Sequence, residues 1–153
     1  MKKVKVYRDF GKIDRQSIIT FARTMGVTFP EDYITLLSEH DALRPEKCDF
    51  WFTYEDKVDS RDIAFLGFSS CINEANQIAR FQQDEYGWEK VIVFGRAANG
   101  DYICFDYRSH PDSKNPPVVL MFHDDYDNKD RMITVNVAPN FQSFIDNLVE
   151  AEE

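Results

Sequence analysis

Three cysteines, three histidines and a set of clustered carboxylates are the residues of this chain that could do chemistry. Cys48, Cys71 and Cys104 are widely spaced and form no CxxC pair, which fits three small reduced residues. A nucleophilic thiol needs an activating neighbour, and the sequence identifies none. His40, His110 and His123 are equally scattered and give no metal-ligand spacing. The carboxylates gather in two segments: Glu55, Asp56 and Asp59, then Asp124, Asp125, Asp127 and Asp130. Read as the start of a calcium loop, Asp125-x-Asp127-x-Lys129 fails. Lys129 stands where an oxygen ligand is required, and the central glycine is absent. Asp101 and Asp106 flank the most strand-like stretch, but acid/base work needs a set separation and unequal protonation, which spacing alone does not supply. There is no Ser-His-Asp signature and no phosphate-binding glycine loop. No cofactor and no metal are implied. The acidic segments are left as solvated turns or as surfaces for a basic partner.

Composition narrows the classes further. A net charge of −9 argues against a general nucleic-acid binder, which needs positive charge to displace counterions. It suits attraction of a basic protein. The length of 153 residues is enough for one domain with a substantial core. No unbroken apolar segment is long enough to span a bilayer. The start, MKKVKVYRDFGK, is basic and no apolar signal core follows it, so the expected location is cytoplasmic.

The elements that must position these residues centre on Val91 to Arg108. Two runs rich in β-branched and aromatic residues flank Asn99-Gly100, a pair that tolerates positive φ. With Asn99 and Gly100 as a two-residue loop, Phe94 lies opposite Phe105 and Ile92 opposite Tyr107. A longer loop beginning at Gly95 changes these partners. Both faces are apolar, so the strands belong inside a sheet covered by helices on at least one side. Before it, Asp14 caps a helix from Arg15 to Met25, with Ile18, Phe21, Ala22 and Met25 inward and Gly26 ending it. Pro30 starts a second helix through Glu39, with Glu31 and Asp32 at its positive end and Tyr33, Ile34, Leu36 and Leu37 packing. Phe50, Phe52 and Tyr54 alternate with Trp51 and Thr53, the mark of a strand or an exposed aromatic loop. Ile63 to Phe68 reads as a short strand and Asn73 to Tyr86 as a helix, followed by Trp88 as a core cover. Val118 to Phe122 and Met132 to Val137 form a second hairpin with an acidic tip. Asn140 caps a last helix to Val149, with Phe141, Phe144, Ile145 and Leu148 on its buried stripe.

Three of these stretches resemble the SMI1/KNR4 family of the SUKH superfamily. The first is Gly26-Val27-Thr28-Phe29-Pro30-Glu31-Asp32-Tyr33 followed by Leu36-Leu37: a glycine-ended helix, a short apolar link to proline, and an acidic-acidic-aromatic helix start. The second is Val91 to Asp106, an apolar run, an Asn/Gly turn and an aromatic strand. The third is Val137-Ala138-Pro139-Asn140-Phe141 with Phe144, Ile145 and Leu148. They occur in the family's order and bracket most of the chain.

The expected fold is therefore α+β: one SMI1/KNR4-like domain over 13–150, with a mixed, mainly antiparallel sheet and packed helices. A basic segment over 1–12, in which Val4, Val6 and Phe10 dock as an edge strand or the chain frays, precedes it. An acidic tail over 151–153 frays. Many bacterial members of the family are immunity proteins that bind and block a toxin domain, often a nuclease. The resemblance therefore implies a non-enzymatic antitoxin whose partner is a cognate toxin, with no direct contact to nucleic acid or membrane. The alternative is a regulatory or scaffold module that binds protein without a toxin target; a hydrolytic enzyme is the least favoured class. Partner contacts are expected at Glu55, Asp56, Asp59, Asp124, Asp125, Asp127 and Asp130.

Overall fold

The structure is a computed structural model that describes residues 3–69, 74–75 and 85–151. It is an α+β fold. The central element is a five-stranded antiparallel sheet in the order β5-β6-β7-β8-β9, formed by Ala64–Phe65, Val91–Arg96, Tyr102–Asp106, Val118–Tyr126 and Met132–Ala138. A separate ribbon pairs β3 (Asp49–Tyr54) with β4 (Lys57–Asp62), and a short pair joins β1 (Val6–Arg8) to β2 (Arg44–Pro45). The described helices are α1 (Arg15–Thr24), α2 (Glu31–Glu39) and α3 (Phe141–Asp146). None of them is long and apolar enough to cross a membrane.

Local chemistry explains the helix limits. Asp14 accepts a hydrogen bond from the Gln16 amide at 2.9 Å, and Gly26 takes φ +75° just beyond the end of α1. Pro30 precedes α2, and Glu31 and Asp32 fill its first turn. Arg15 of α1 bonds Glu31 and Thr35 of α2. Asn140 caps α3 by accepting from the Ser143 amide at 2.8 Å. That helix stops at Asp146, short of the expected Val149. Val149 instead forms an isolated antiparallel bridge to Asp49, which ties the C-terminal segment to the ribbon.

The central hairpin keeps its expected ring contact in a different register. Ile92 lies opposite Phe105, and the pairing slips between Val93 and Gly95, which leaves Phe94 at a bulge. The bulge swings Phe94 onto Phe105, and the rings stack with centroids 4.1 Å apart. The loop holds three residues rather than two. Ala97 and Gly100 amides donate to the carbonyls of Asp101 and Ala97, with Gly100 at φ +101°. This is a type I turn followed by a left-handed residue, the usual geometry of a three-residue hairpin. The β8–β9 hairpin repeats it, with Asp127 and Asp130 amides donating to Arg131 and Asp127 and with Asp130 at φ +61°. Gly95 serves a close approach: a Cβ there would lie 2.7 Å from the Ile63 side chain, beside β5.

The core is aromatic. Tyr33 of α2 meets Phe29, Phe65, Phe94, Phe105 and Phe141, all within 6.4 Å between centroids. The ribbon joins this core through Phe50, which packs edge-on against Phe144 of α3, and Phe52, which lies on Phe122 of β8. Trp88 is half-buried, as its expected covering role requires. Its indole N–H donates to the Met132 carbonyl at 2.7 Å, and the Arg108 and Arg131 guanidinium groups lie 4.5 and 4.2 Å from its ring. Cys104 is fully buried, and that burial pushes its thiol well up.

Some expectations change. Phe10 is exposed instead of docked, while Val4 and Val6 pack against the core. Ile63 to Phe68 contributes only the two residues of β5 to the sheet. Asp124 and Asp125 sit on β8, since that strand runs on to Tyr126. The expected helix from Asn73 to Tyr86 lies mostly outside the described residues, of which Glu74 and Ala75 are helical and Tyr86 forms a bend. Cys71 also lies outside them.

Tyr33 supplies one prediction. Its hydroxyl is buried without a hydrogen-bond partner among the described residues. Replacing Tyr33 with phenylalanine keeps the ring and removes a desolvated polar group, so stability rises by about 1 kcal/mol. Urea unfolding measures it, and a clear loss of stability in Tyr33→Phe would refute the reading.

Candidate protein-binding face

Two acidic segments, 55–59 and 124–130, come from elements far apart in sequence, and the packing of the ribbon against β8 and β9 decides whether they meet. Phe52 and Tyr54 both rest on the Phe122 ring, with centroids 6.2 and 5.2 Å apart. Tyr54 then stands between the segments. Desolvation, followed by the charges of Glu55 and Asp125, pushes its phenol up. Glu55 and Asp125 therefore both lie near the Tyr54 phenol.

A second junction lies deeper. Asp101, at the end of the β6–β7 loop, is only 2% exposed, and four donors reach its carboxylate. Arg61 Nε and Asn99 Nδ2 donate to Oδ2 at 2.9 and 3.1 Å. His123 donates its backbone amide and ring Nδ1 to Oδ1 at 3.1 and 2.5 Å. A carboxylate only accepts, so the proton sits on Nδ1 of His123. Burial alone would raise the Asp101 carboxyl, yet the hydrogen bonds from His123, Arg61 and Asn99 hold it below the ordinary range. Arg61 also bonds Asp59 Oδ2 at 2.9 Å and lies over the Phe52 ring. The network thus links β4, the β6–β7 loop and β8 through one buried carboxylate. It fixes the ribbon onto the sheet.

Asp101, His123 and Asp124 place ligand atoms within 4.8 Å of one another. As a metal centre the group is poorly suited, because both Asp101 oxygens and His123 Nδ1 already serve the network. As an Asp–His base it holds an oriented imidazole. Neither described cysteine completes it with a nucleophile, since Cys104 is buried and Cys48 bonds to Asp49. The network's evident work is cross-linking.

The structure therefore brings Glu55, Asp59, Asp124 and Asp125 toward one face, with Asp56 beside Glu55 at the ribbon tip. Asp127 is committed elsewhere. Its carboxylate accepts from the Lys129 and Arg131 amides and from Arg131 Nε, which closes the β8–β9 turn. That geometry also removes the calcium-loop reading of this segment. Asp130 occupies the left-handed position of the same turn and is exposed.

The sequence model of the SMI1 / KNR4 family (SUKH-1) matches residues 12–147. This chain belongs to the SMI1/KNR4 family. No match was found among curated proteins. Within the SMI1/KNR4 domain, the acidic-acidic-aromatic helix start puts Tyr33 at the centre of the core, and the matched span contains both acidic segments and the Asp101 network. Strand β1 lies before it.

Sequence reading overlooked three features of the ribbon and its anchor. Strand β4 of the SMI1/KNR4 domain is polar and gave no apolar period. Arg61 and Asp101 are 40 residues apart, and no local pattern pairs them. Trp51 did carry a signal: alternation with buried Phe50 and Phe52 sends it outward.

Glu55 and Asp56 themselves form the two-residue turn between β3 and β4, at φ +50° and +62°. Both central residues of such a turn are left-handed, which favours Asn-Gly. Replacing the pair with Asn-Gly is expected to raise stability by about 0.5–1 kcal/mol by relieving that strain, as read by thermal or urea unfolding. It also neutralises two charges without loosening the ribbon.

Proposed function

We propose that this SMI1/KNR4 domain is an immunity protein that neutralises a cognate toxin domain, a nuclease with a cationic surface, by stoichiometric binding. Membership of a family known for immunity proteins supports the reading. The observation that carries it to a cationic target is the placement of Glu55 and Asp125 beside Tyr54 and of Asp124 beside His123, on a chain of net charge −9. Nucleases present positive surfaces to phosphate, and an acidic face captures such a surface quickly and competes with its substrate. The protein acts by occupancy, with no turnover of its own. Its place of action is the cytoplasm, where the toxin would reach nucleic acid.

The test is co-expression with the toxin encoded beside the gene. The wild-type chain restores growth. Neutralising Asp124 and Asp125 together slows association and weakens its salt dependence while the fold persists. Unchanged association in that variant would reject the acidic face. Failure of the wild-type chain to protect would reject immunity toward that toxin.

A further inference from the structure

The ribbon has a second face, which the acidic reading does not use. In-register pairing runs unbroken from Asp49↔Asp62 to Tyr54↔Lys57. Phe50 and Phe52 point into the core, so their neighbours point out. Trp51, opposite Ser60, is 47% exposed, and Val58, opposite Thr53, is 67% exposed. These two side chains are diagonal neighbours and form an apolar strip on the open face. Acids bound it at both ends: Asp49 at the root, beside an Asp62 that pairs with Arg44 at 3.6 Å and accepts from the Ala98 amide, and Glu55 and Asp56 at the tip. From Asp49 to Asp62 the ribbon carries five acids against Lys57 and Arg61, and Arg61 is turned to the inner face by Asp101 and Asp59.

An apolar centre with a charged rim is the anatomy of a protein interface, and tryptophan is the commonest kind of anchor within one. The ribbon is also preorganised. A tight turn closes one end, Phe50 and Phe52 root it, and the Asp101 network fastens β4, so little ordering is needed on binding. Of the other exposed aromatics, Tyr7 and Phe10 lie on the basic N-terminal segment, where a cationic partner is repelled, and Tyr126, 44% exposed, lies at the end of β8 without an exposed apolar neighbour across a ribbon such as Val58 gives Trp51.

We propose that the outer face of the β3–β4 ribbon, with Trp51 as anchor and Val58 beside it, docks into an apolar hollow rimmed by lysine or arginine on a cationic protein. This inference rests on the immunity reading and takes the toxin domain as that protein. Trp51 supplies residence time, and the acidic rim supplies encounter rate.

The experiment measures binding of the purified toxin domain encoded beside the gene, at low and high salt, to the wild type, Trp51→Ala, Val58→Ser and the Glu55→Asn/Asp56→Gly double variant. Trp88 fluorescence and urea unfolding monitor the fold. Trp51→Ala weakens binding roughly 30-fold or more, mainly through faster dissociation, with an unchanged unfolding midpoint. The double variant slows association at low salt and differs little from wild type at high salt. Wild-type affinity in Trp51→Ala and Val58→Ser, with growth protection intact, overturns this docking face and leaves the immunity reading standing. Absence of binding by the wild type overturns both. Self-association of the free protein that Trp51→Ala abolishes, with toxin binding unaffected, assigns the face to a second copy and also overturns the proposal.

Discussion

Truncating Phe105 to alanine is expected to cost about 3–5 kcal/mol of stability. The ring is fully buried and lies where α2, the link before it and α3 meet the sheet. It stacks on Phe94 and touches Phe29, Tyr33, Tyr107 and Phe141. The neighbours belong to separate elements whose backbones are fixed by the sheet or by caps, so they cannot collapse into the space. The loss therefore combines the transfer term with a cavity term. Phe94→Ala falls in the same range for the same reason. Urea unfolding at neutral pH gives the numbers, and losses under about 0.5 kcal/mol for both would contradict the core described above.

The second large effect is at Asp101. Replacing it with alanine removes the acceptor of four donors and leaves Arg61 and His123 without their shared partner. Arg61 keeps Asp59 and some solvent contact, which moderates the loss, so a cost of about 2–4 kcal/mol follows. The ribbon should also loosen, seen as faster amide exchange in β3 and β4 than in β6 and β7. The carboxyl gives a pH signature as well. Its folded-state pKa lies below the unfolded value of about 3.9, so the folded state binds fewer protons in the interval between them. Its stabilisation is complete above about pH 5 and is lost as pH falls through the unfolded value toward the folded one. Asp106 acts with the same sign: burial would raise it, but hydrogen bonds from Arg108 hold it down. Asp101→Asn should therefore show a shallower acid limb than wild type. An equal slope between pH 5 and 3 would contradict the network's charge state.

The parts legible in the sequence were those whose order is local. Asp14, Gly26, Pro30 and Asn140 each act on amides a few residues away, so the helix starts could be read directly. The central strands were legible because both their faces are apolar. Their register was not, since the bulge at Phe94 adjoins the close approach of Gly95 to Ile63, which joins residues far apart in sequence. Strand β4 escaped notice because Lys57-Val58-Asp59-Ser60-Arg61-Asp62 is held by a tight turn and by pairing, with little burial of its own. The acidic residues were visible as clusters. Only folding shows that Glu55 and Asp125 share Tyr54 while Asp127 is consumed by its own turn. Asp101 looked like a possible catalytic carboxylate beside a hairpin, and tertiary structure turns it into the anchor of the ribbon.

The central claim is inhibition by occupancy, and a titration tests it most directly. The purified toxin domain, at a concentration well above the dissociation constant, receives increasing amounts of this protein while residual nuclease activity is followed. The account predicts a linear fall to zero at one equivalent, with both chains recovered intact from the mixture. Full activity at several equivalents, or loss of activity at far less than one equivalent with chemical change in the toxin, would contradict it.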